Sequence, residues 1–153
     1  MARAKSPPHF VNLSMADVYS RKKRSDVMSR IKATDTKPEL IVRKYIFSRG
    51  LRFRIHQKNL PGKPDIVLKK YHSIVLVNGC FWHGHKNCKV FKMPKSNKTY
   101  WVPKINRNIV KQKETISTLR RLGWKVFIIW ECELKKSKQN AALTKLLRKI
   151  MVN

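Results

Sequence analysis

The sequence predicts an α/β protein built as one mixed central sheet flanked by helices. Short apolar runs with strand-like alternation are interleaved with segments of helical periodicity, in the order α-β-β-β-α-β-α. No repeat or inner linker divides the chain, and 153 residues suit one domain. Hydrophobic residues make up 42%, enough for a packed core.

The elements follow in order. Residues 1–18 read as a flexible basic arm and 19–153 as a single domain. Tyr19 to Ile31, YSRKKRSDVMSRI, is a strongly basic segment predicted to be helical, with a lone Met28. In DTKPELIVRKYIFSRG, Thr36 and Glu39 have capping-box spacing, Pro38 suits the first turn and Gly50 the end. This predicts a helix over 36–49 with Leu40, Ile41, Tyr45 and Phe47 as its apolar face. LRFRIHQKN alternates Leu51, Phe53 and Ile55 as a strand, and LPGKP is a turn. DIVLKK and SIVLVN read as two strands joined by a short link. The stretch from Gly79 to about Lys98 is irregular. A helix opens at Pro103 and stops at Gly123, with Ile105, Ile109, Gln112, Ile116 and Leu119 at helical spacing. WKVFIIW, Trp124 to Trp130, is a buried strand, and NAALTKLLRKI closes the chain as a helix.

Charge decides the class of partner. Lys plus Arg number 36 against 8 Asp plus Glu, a net +28. Such self-repulsion is tolerated where a polyanion neutralises it, which points to nucleic acid. No apolar run approaches a membrane span, and no basic amphipathic helix with a wide apolar face suits a membrane surface. The N-terminus lacks the apolar core of a secretory signal, so a cytoplasmic protein with reduced thiols is expected. Three cysteines cannot all pair with one another.

NGCFWHGHKNC, Asn78 to Cys88, concentrates the chemistry. Cys80, His85 and Cys88 have the spacing C-x4-H-x2-C, and Cys132 lies far downstream. A closed structural zinc site wants such a Cys3His set, which would pin an irregular loop to the end of a strand. The alternative is three buried cysteines and a surface histidine, and spacing alone does not choose between His83 and His85. Asp65, after Pro64 at a strand start, is either a turn residue or a metal-binding carboxylate of the kind nucleases use. The next strand, SIVLVNG, offers neither the second carboxylate nor the lysine that often accompanies it. His83 is able to take a proton from water at neutral pH. Phe81 and Trp82 suit either core anchors or wedges between base pairs. The capping box is enough to explain Glu39, and Glu131 and Glu133 flank Cys132 as solvated acids.

RSDVMSRI, LPGKPDIVL, NGCFWHGHKNC followed by FKMP, YW…KINRN and LGWKVFIIWECEL together resemble the very-short-patch-repair (Vsr) DNA mismatch endonucleases, over about Asp17 to Ala142. The resemblance implies a restriction-endonuclease-like core with a structural zinc site. It implies a magnesium-dependent nick in one strand of duplex DNA, 5′ to the T of a T:G mismatch left by deamination of 5-methylcytosine, which initiates very short patch repair. Other DNA-repair proteins would cooperate, and the enzyme would act as a monomer on a bacterial-type nucleoid. Asp65 would bind magnesium together with the Val77 backbone carbonyl, His83 would be the general base or acid, and Glu39 an auxiliary carboxylate. Cys80, His85, Cys88 and Cys132 would hold zinc. Phe81, Trp82 and Trp101 would enter the DNA stack from the major groove and Met28 from the minor groove.

The chain departs from the family pattern at several positions near the expected site: Val77 stands where Thr is frequent, and the Cys80–Cys88 loop is one residue longer than in some members. Asn78 stands where well-known members have a histidine, and Gln112 where the long helix usually carries an acid. Asn78 is also a DNA-facing candidate. Competing readings are a Vsr-related site-specific restriction or nicking endonuclease and a non-catalytic zinc-stapled DNA-binding protein.

Overall fold

A computed structural model describes residues 34–152. The basic N-terminal arm, the predicted helix over Tyr19 to Ile31 and its Met28 lie outside the described residues. Within them the elements are helix α1 (Lys37–Ser48), strands β1 (Ile66–Leu68) and β2 (Ser73–Asn78), helix α2 (Lys98–Arg121), strand β3 (Lys125–Trp130) and helix α3 (Gln139–Met151). The sheet is mixed, as expected, with β2 in the middle. β1 runs antiparallel to β2, with Ile66 opposite Val75. β3 runs parallel to β2, with Ser73 opposite Lys125 and Asn78 opposite Trp130. That parallel pairing requires a long crossover, which α2 supplies.

Alternation along the strands builds a core on each face. Ile66, Leu68, Val75 and Ile129 face Val42 and Ile46 of α1 and Leu143, Leu146 and Ile150 of α3. Val67, Ile74, Leu76 and Val126 point the other way and meet Leu119 of α2. The N-terminal half of α2 leaves the sheet and packs Trp101 and Ile105 on Phe81 of the irregular loop. One long helix therefore covers both a sheet face and the loop that follows β2.

Several sequence expectations need correction. The strand predicted in LRFRIHQKN is reduced to a single antiparallel bridge between Arg54 and Val67. His56 adopts a left-handed φ of 52°, which ends the extended run. The buried face of α1 is Val42 and Ile46, while Leu40 and Phe47 are exposed. β3 is only partly buried because it lies at the sheet edge, and Ile128 is exposed. α2 starts at Lys98, with Pro103 inside it rather than at its first turn. Asn97 offers no side-chain cap there, so burial of Trp101, not local propensity, holds the first turns.

Pro103 lacks the N–H that would bond back to the carbonyl of Thr99, and its ring crowds that carbonyl. Pro103→Ala should therefore stabilise the protein by on the order of 1 kcal/mol. A thermal melt checks this: the midpoint should rise, and a fall would show that the proline ring packs productively.

Candidate active site and metal centre

The Gly79–Lys98 loop begins where β2 ends, and the Cys132 turn begins where β3 ends. Parallel pairing puts both at the same edge of the sheet. There Cys80, His85, Cys88 and Cys132 converge, with ligand atoms all within 4.8 Å of one another. His85 Nδ1 lies 3.5 Å from the sulfurs of both Cys80 and Cys132. Tetrahedral zinc, with bonds of about 2.3 Å to sulfur and 2.0–2.1 Å to nitrogen, would hold S and N roughly 3.6 Å apart. The donor set and its spacing thus fit that ion. The geometry selects His85 over His83 for the cluster.

The cluster has its own supports. Trp130 stacks flat on the His85 ring, with centroids 3.8 Å apart and planes 3° from parallel. Glu131 accepts a hydrogen bond from the Cys80 N–H at 3.2 Å, so it ties the two loops together rather than standing in solvent. Glu133 accepts from the Trp130 N–H at 2.9 Å. Burial pushes the thiols of Cys80 and Cys132 upward. Burial would raise Cys88 as well, but hydrogen bonds from the Val90 and Phe91 N–H groups and from Cys132 and Cys80 together lower it.

Asp65 sits just before β1 and is half-buried. Its Oδ2 accepts from the Val77 N–H at 2.8 Å, which brings the carboxylate against the end of β2. Burial raises its pKa to about 6; the Val77 N–H opposes this, the neighbouring Glu39 adds to it, and Arg43 and His56 oppose it. A desolvated carboxylate that still resists ionisation suits a cation beside it.

Glu39 is 5% exposed and fully occupied. It accepts from the Asp35 N–H at 3.0 Å, the Thr36 hydroxyl at 2.8 Å and the Arg43 guanidinium at 2.8 Å. The predicted cap is present, since Thr36 Oγ1 accepts from the Glu39 N–H. Arg43 also pairs with Asp35 and holds that carboxyl below its ordinary value. His56 joins the cluster at 3.6 Å from Asp35. Arg43, Asp35 and His56 were not singled out from sequence. The spacing of Asp35, Glu39 and Arg43, four residues apart in succession, was the signal available for two of them.

His83 lies two residues before His85 in the same loop, with its N–H bonded to the Gly79 carbonyl at 3.3 Å. Burial lowers its pKa, against a hydrogen bond to the Gln112 side chain. Its Nδ1 is buried without a hydrogen-bond partner. Asn108, one turn before Gln112, donates to the Trp82 carbonyl at 3.2 Å. Gly84 has φ +56°, and a Cβ there would come 2.7 Å from Ile109 Cδ1, so α2 presses directly on this turn. Asn78 is 2% exposed and pairs with Gln112: it donates to Gln112 Oε1 at 3.1 Å, and Gln112 Nε2 donates to Asn78 Oδ1 at 2.7 Å.

The aromatic candidates form one group. Phe81 and Trp101 are buried, edge to face at 5.3 Å, and Trp82 is half-buried beside them. Tyr100 extends the group into solvent.

The family profile described as DNA mismatch endonuclease Vsr matches residues 16–89. The Type II nicking enzyme V.NmeAIP of Neisseria meningitidis is 44% identical over 89% of this chain and 97% of its own length. The Type II nicking enzyme V.XorIIP of Xanthomonas oryzae is 42% identical over 78% of this chain and 88% of its own. The DNA mismatch endonuclease Vsr of Escherichia coli is 40% identical, covering 79% of this chain and 77% of its own. The chain belongs to the Vsr family of DNA mismatch endonucleases.

Proposed function

We propose that this endonuclease nicks one strand of duplex DNA 5′ to the T of a T:G mismatch and so initiates very short patch repair. We take it to act as a monomer on a restriction-endonuclease-like core, with magnesium at the active site and zinc as a staple. One set of observations carries the reading: half-buried Asp65 accepts from the Val77 N–H, the next residue Asn78 pairs with Gln112, and the Gln112 side chain reaches His83. It links the candidate metal-binding carboxylate to the candidate base.

Asp65 and the Val77 carbonyl would hold magnesium, with Glu39 and Arg43 fixing the charge around them. The ion would supply Lewis-acid stabilisation of the phosphate charge. His83, kept neutral at pH 7 by burial, accepts a proton from the attacking water. The water oxygen bonds to phosphorus, the P–O3′ bond breaks, and the leaving oxygen takes a proton from solvent, giving a 5′-phosphate and a 3′-hydroxyl. Trp82, on the Phe81–Trp101 base, would wedge beside the mismatch, where stacking is already weak. Lys104, Arg107 and Lys111 share one face of α2 by their spacing and would follow the phosphates. The Type II nicking enzymes among the relatives favour one second reading, cleavage in a fixed sequence context without a mismatch.

Matched and T:G duplexes in several methylation-site contexts, incubated with magnesium, separate the two. A nick confined to the T:G strand is expected; equal cleavage of matched DNA would favour the second reading.

Asp65 also gives a prediction opposite in sign for activity and stability. Its folded pKa of about 6 lies above the ordinary 3.8, so the folded state holds the proton more tightly. That contribution to stability is present below about 4 and lost as pH rises through 6. Asp65→Asn should abolish nicking yet stabilise the magnesium-free protein at neutral pH by on the order of 2 kcal/mol. Urea melts at pH 5 and 7.5 check it; a destabilised variant at pH 7.5 would contradict the burial cost. The wild-type nicking rate should rise with pH through about 6 and then level, since Asp65 and His83 both act deprotonated.

His83→Gln should lower the single-turnover rate about 10²- to 10⁴-fold with little change in DNA binding. Elemental analysis should find one zinc per chain. Cys132→Ala should lose it and melt at lower temperature, whereas a wild-type protein without tightly bound zinc would remove the staple from the account.

A further inference from the structure

Two apolar patterns in this chain are broken by a polar residue, and the breaks meet. Along β2, the side chains on the α2 face are Ile74, Leu76 and then Asn78. Along α2, the stripe toward the sheet and loop is Ile105, Ile109, Gln112, Ile116 and Leu119. The Asn78 and Gln112 amides pair in both directions, at 3.1 and 2.7 Å, with Asn78 almost wholly buried. Neither side chain carries charge. The His83 N–H donates to the carbonyl of Gly79, the residue after Asn78, at 3.3 Å, and the Gln112 side chain reaches His83 from α2. One turn earlier on the same helix, Asn108 holds the Trp82 carbonyl, the peptide just before His83. A buried amide pair needs both members, because one left alone is an unsatisfied polar group.

We propose that Asn78 and Gln112 act as one uncharged positioning unit, which locks the end of β2 to α2 and sets the orientation of the His83 imidazole for the nicking reaction. The inference rests on the function proposed above. Asn78 and Gln112 are positioning residues: they act through His83 and make no contact with DNA in this role. The departures at Asn78 and Gln112 are thus one coupled feature rather than two independent losses.

A double-mutant cycle with Asn78→Leu and Gln112→Met tests it. Each single change leaves one buried amide unpaired and should lower stability. It should also lower kcat about 10- to 100-fold, with KM for the mismatched duplex within about twofold, because a misplaced base costs rate rather than affinity. The double variant removes both amides. Stability should largely return while kcat stays low; recovery of wild-type kcat in the double variant would overturn the proposal and leave a structural pair only. The second readout needs neither DNA nor magnesium. The His83 ring resonance, assigned with His83→Gln and recorded at pH 8, should be single and sharp in wild type and shifted or broadened in Gln112→Met. An unchanged ring signal would overturn the positioning role. A wild-type protein that leaves T:G duplexes uncut would instead overturn the functional reading, and the ring signal would still decide the role of the pair.

Discussion

The whole site depends on convergence of Cys80, His85, Cys88 and Cys132 at one edge of the sheet. The segment from Gly79 to Asn97 forms no helix or strand of its own. Phe81 is its one large apolar side chain buried against α2. Turns of this kind gain little from local hydrogen bonding, so their shape must be imposed from outside. A metal ion held by these four residues would do that, and the flat Trp130–His85 stack and the Glu131 hydrogen bond tie the cluster to β3. His83 lies inside this loop, its N–H bonded to the Gly79 carbonyl at 3.3 Å.

The other half of the site is ordered by charge. Glu39, Arg43 and Asp35 satisfy one another, so the guanidinium is buried without lacking partners for its terminal nitrogens. Asp65 receives only part of that compensation. Val77 supplies a hydrogen bond, yet burial still dominates its proton affinity. Stability has been given up at the position where a cation would be useful, a common arrangement at sites that bind one. Glu39 in this setting acts as the holder of Arg43 as much as a carboxylate in its own right.

The sequence made much of this legible, in proportion to how local the signal was. The α1 cap, β2 and α3 were readable within a residue or two from capping and periodicity. The Cys3His set was readable because its members are few and their chemistry narrow. The strand expected in LRFRIHQKN was not, because a left-handed His56 ends it, and alternation carries no information on φ. The start of α2 was missed because Pro103 is a strong local mark that burial of Trp101 overrides. Phe81 reads as wedge or core from sequence and Trp101 as a wedge from the resemblance alone; both are buried and packed on each other. The pairing of Asn78 with Gln112 was hidden for a different reason. Each looked like an isolated departure, and only the register of β2 on α2 makes them neighbours.

The parallel pairing of β2 and β3 also governs the order in which the molecule can assemble. Cys132 and Trp130 reach the Cys80 loop only after the chain has closed the crossover through α2, a contact between positions far apart in sequence. Such closures carry a large entropy cost before any contact rewards them, so they fall late in folding. The local trio of Cys80, His85 and Cys88 can gather early, but it lacks its fourth ligand until the sheet is complete. The complete four-residue cluster is therefore a property of the finished topology alone. A nascent or partly unfolded chain, however basic, lacks the complete Cys3His cluster until β3 docks beside β2.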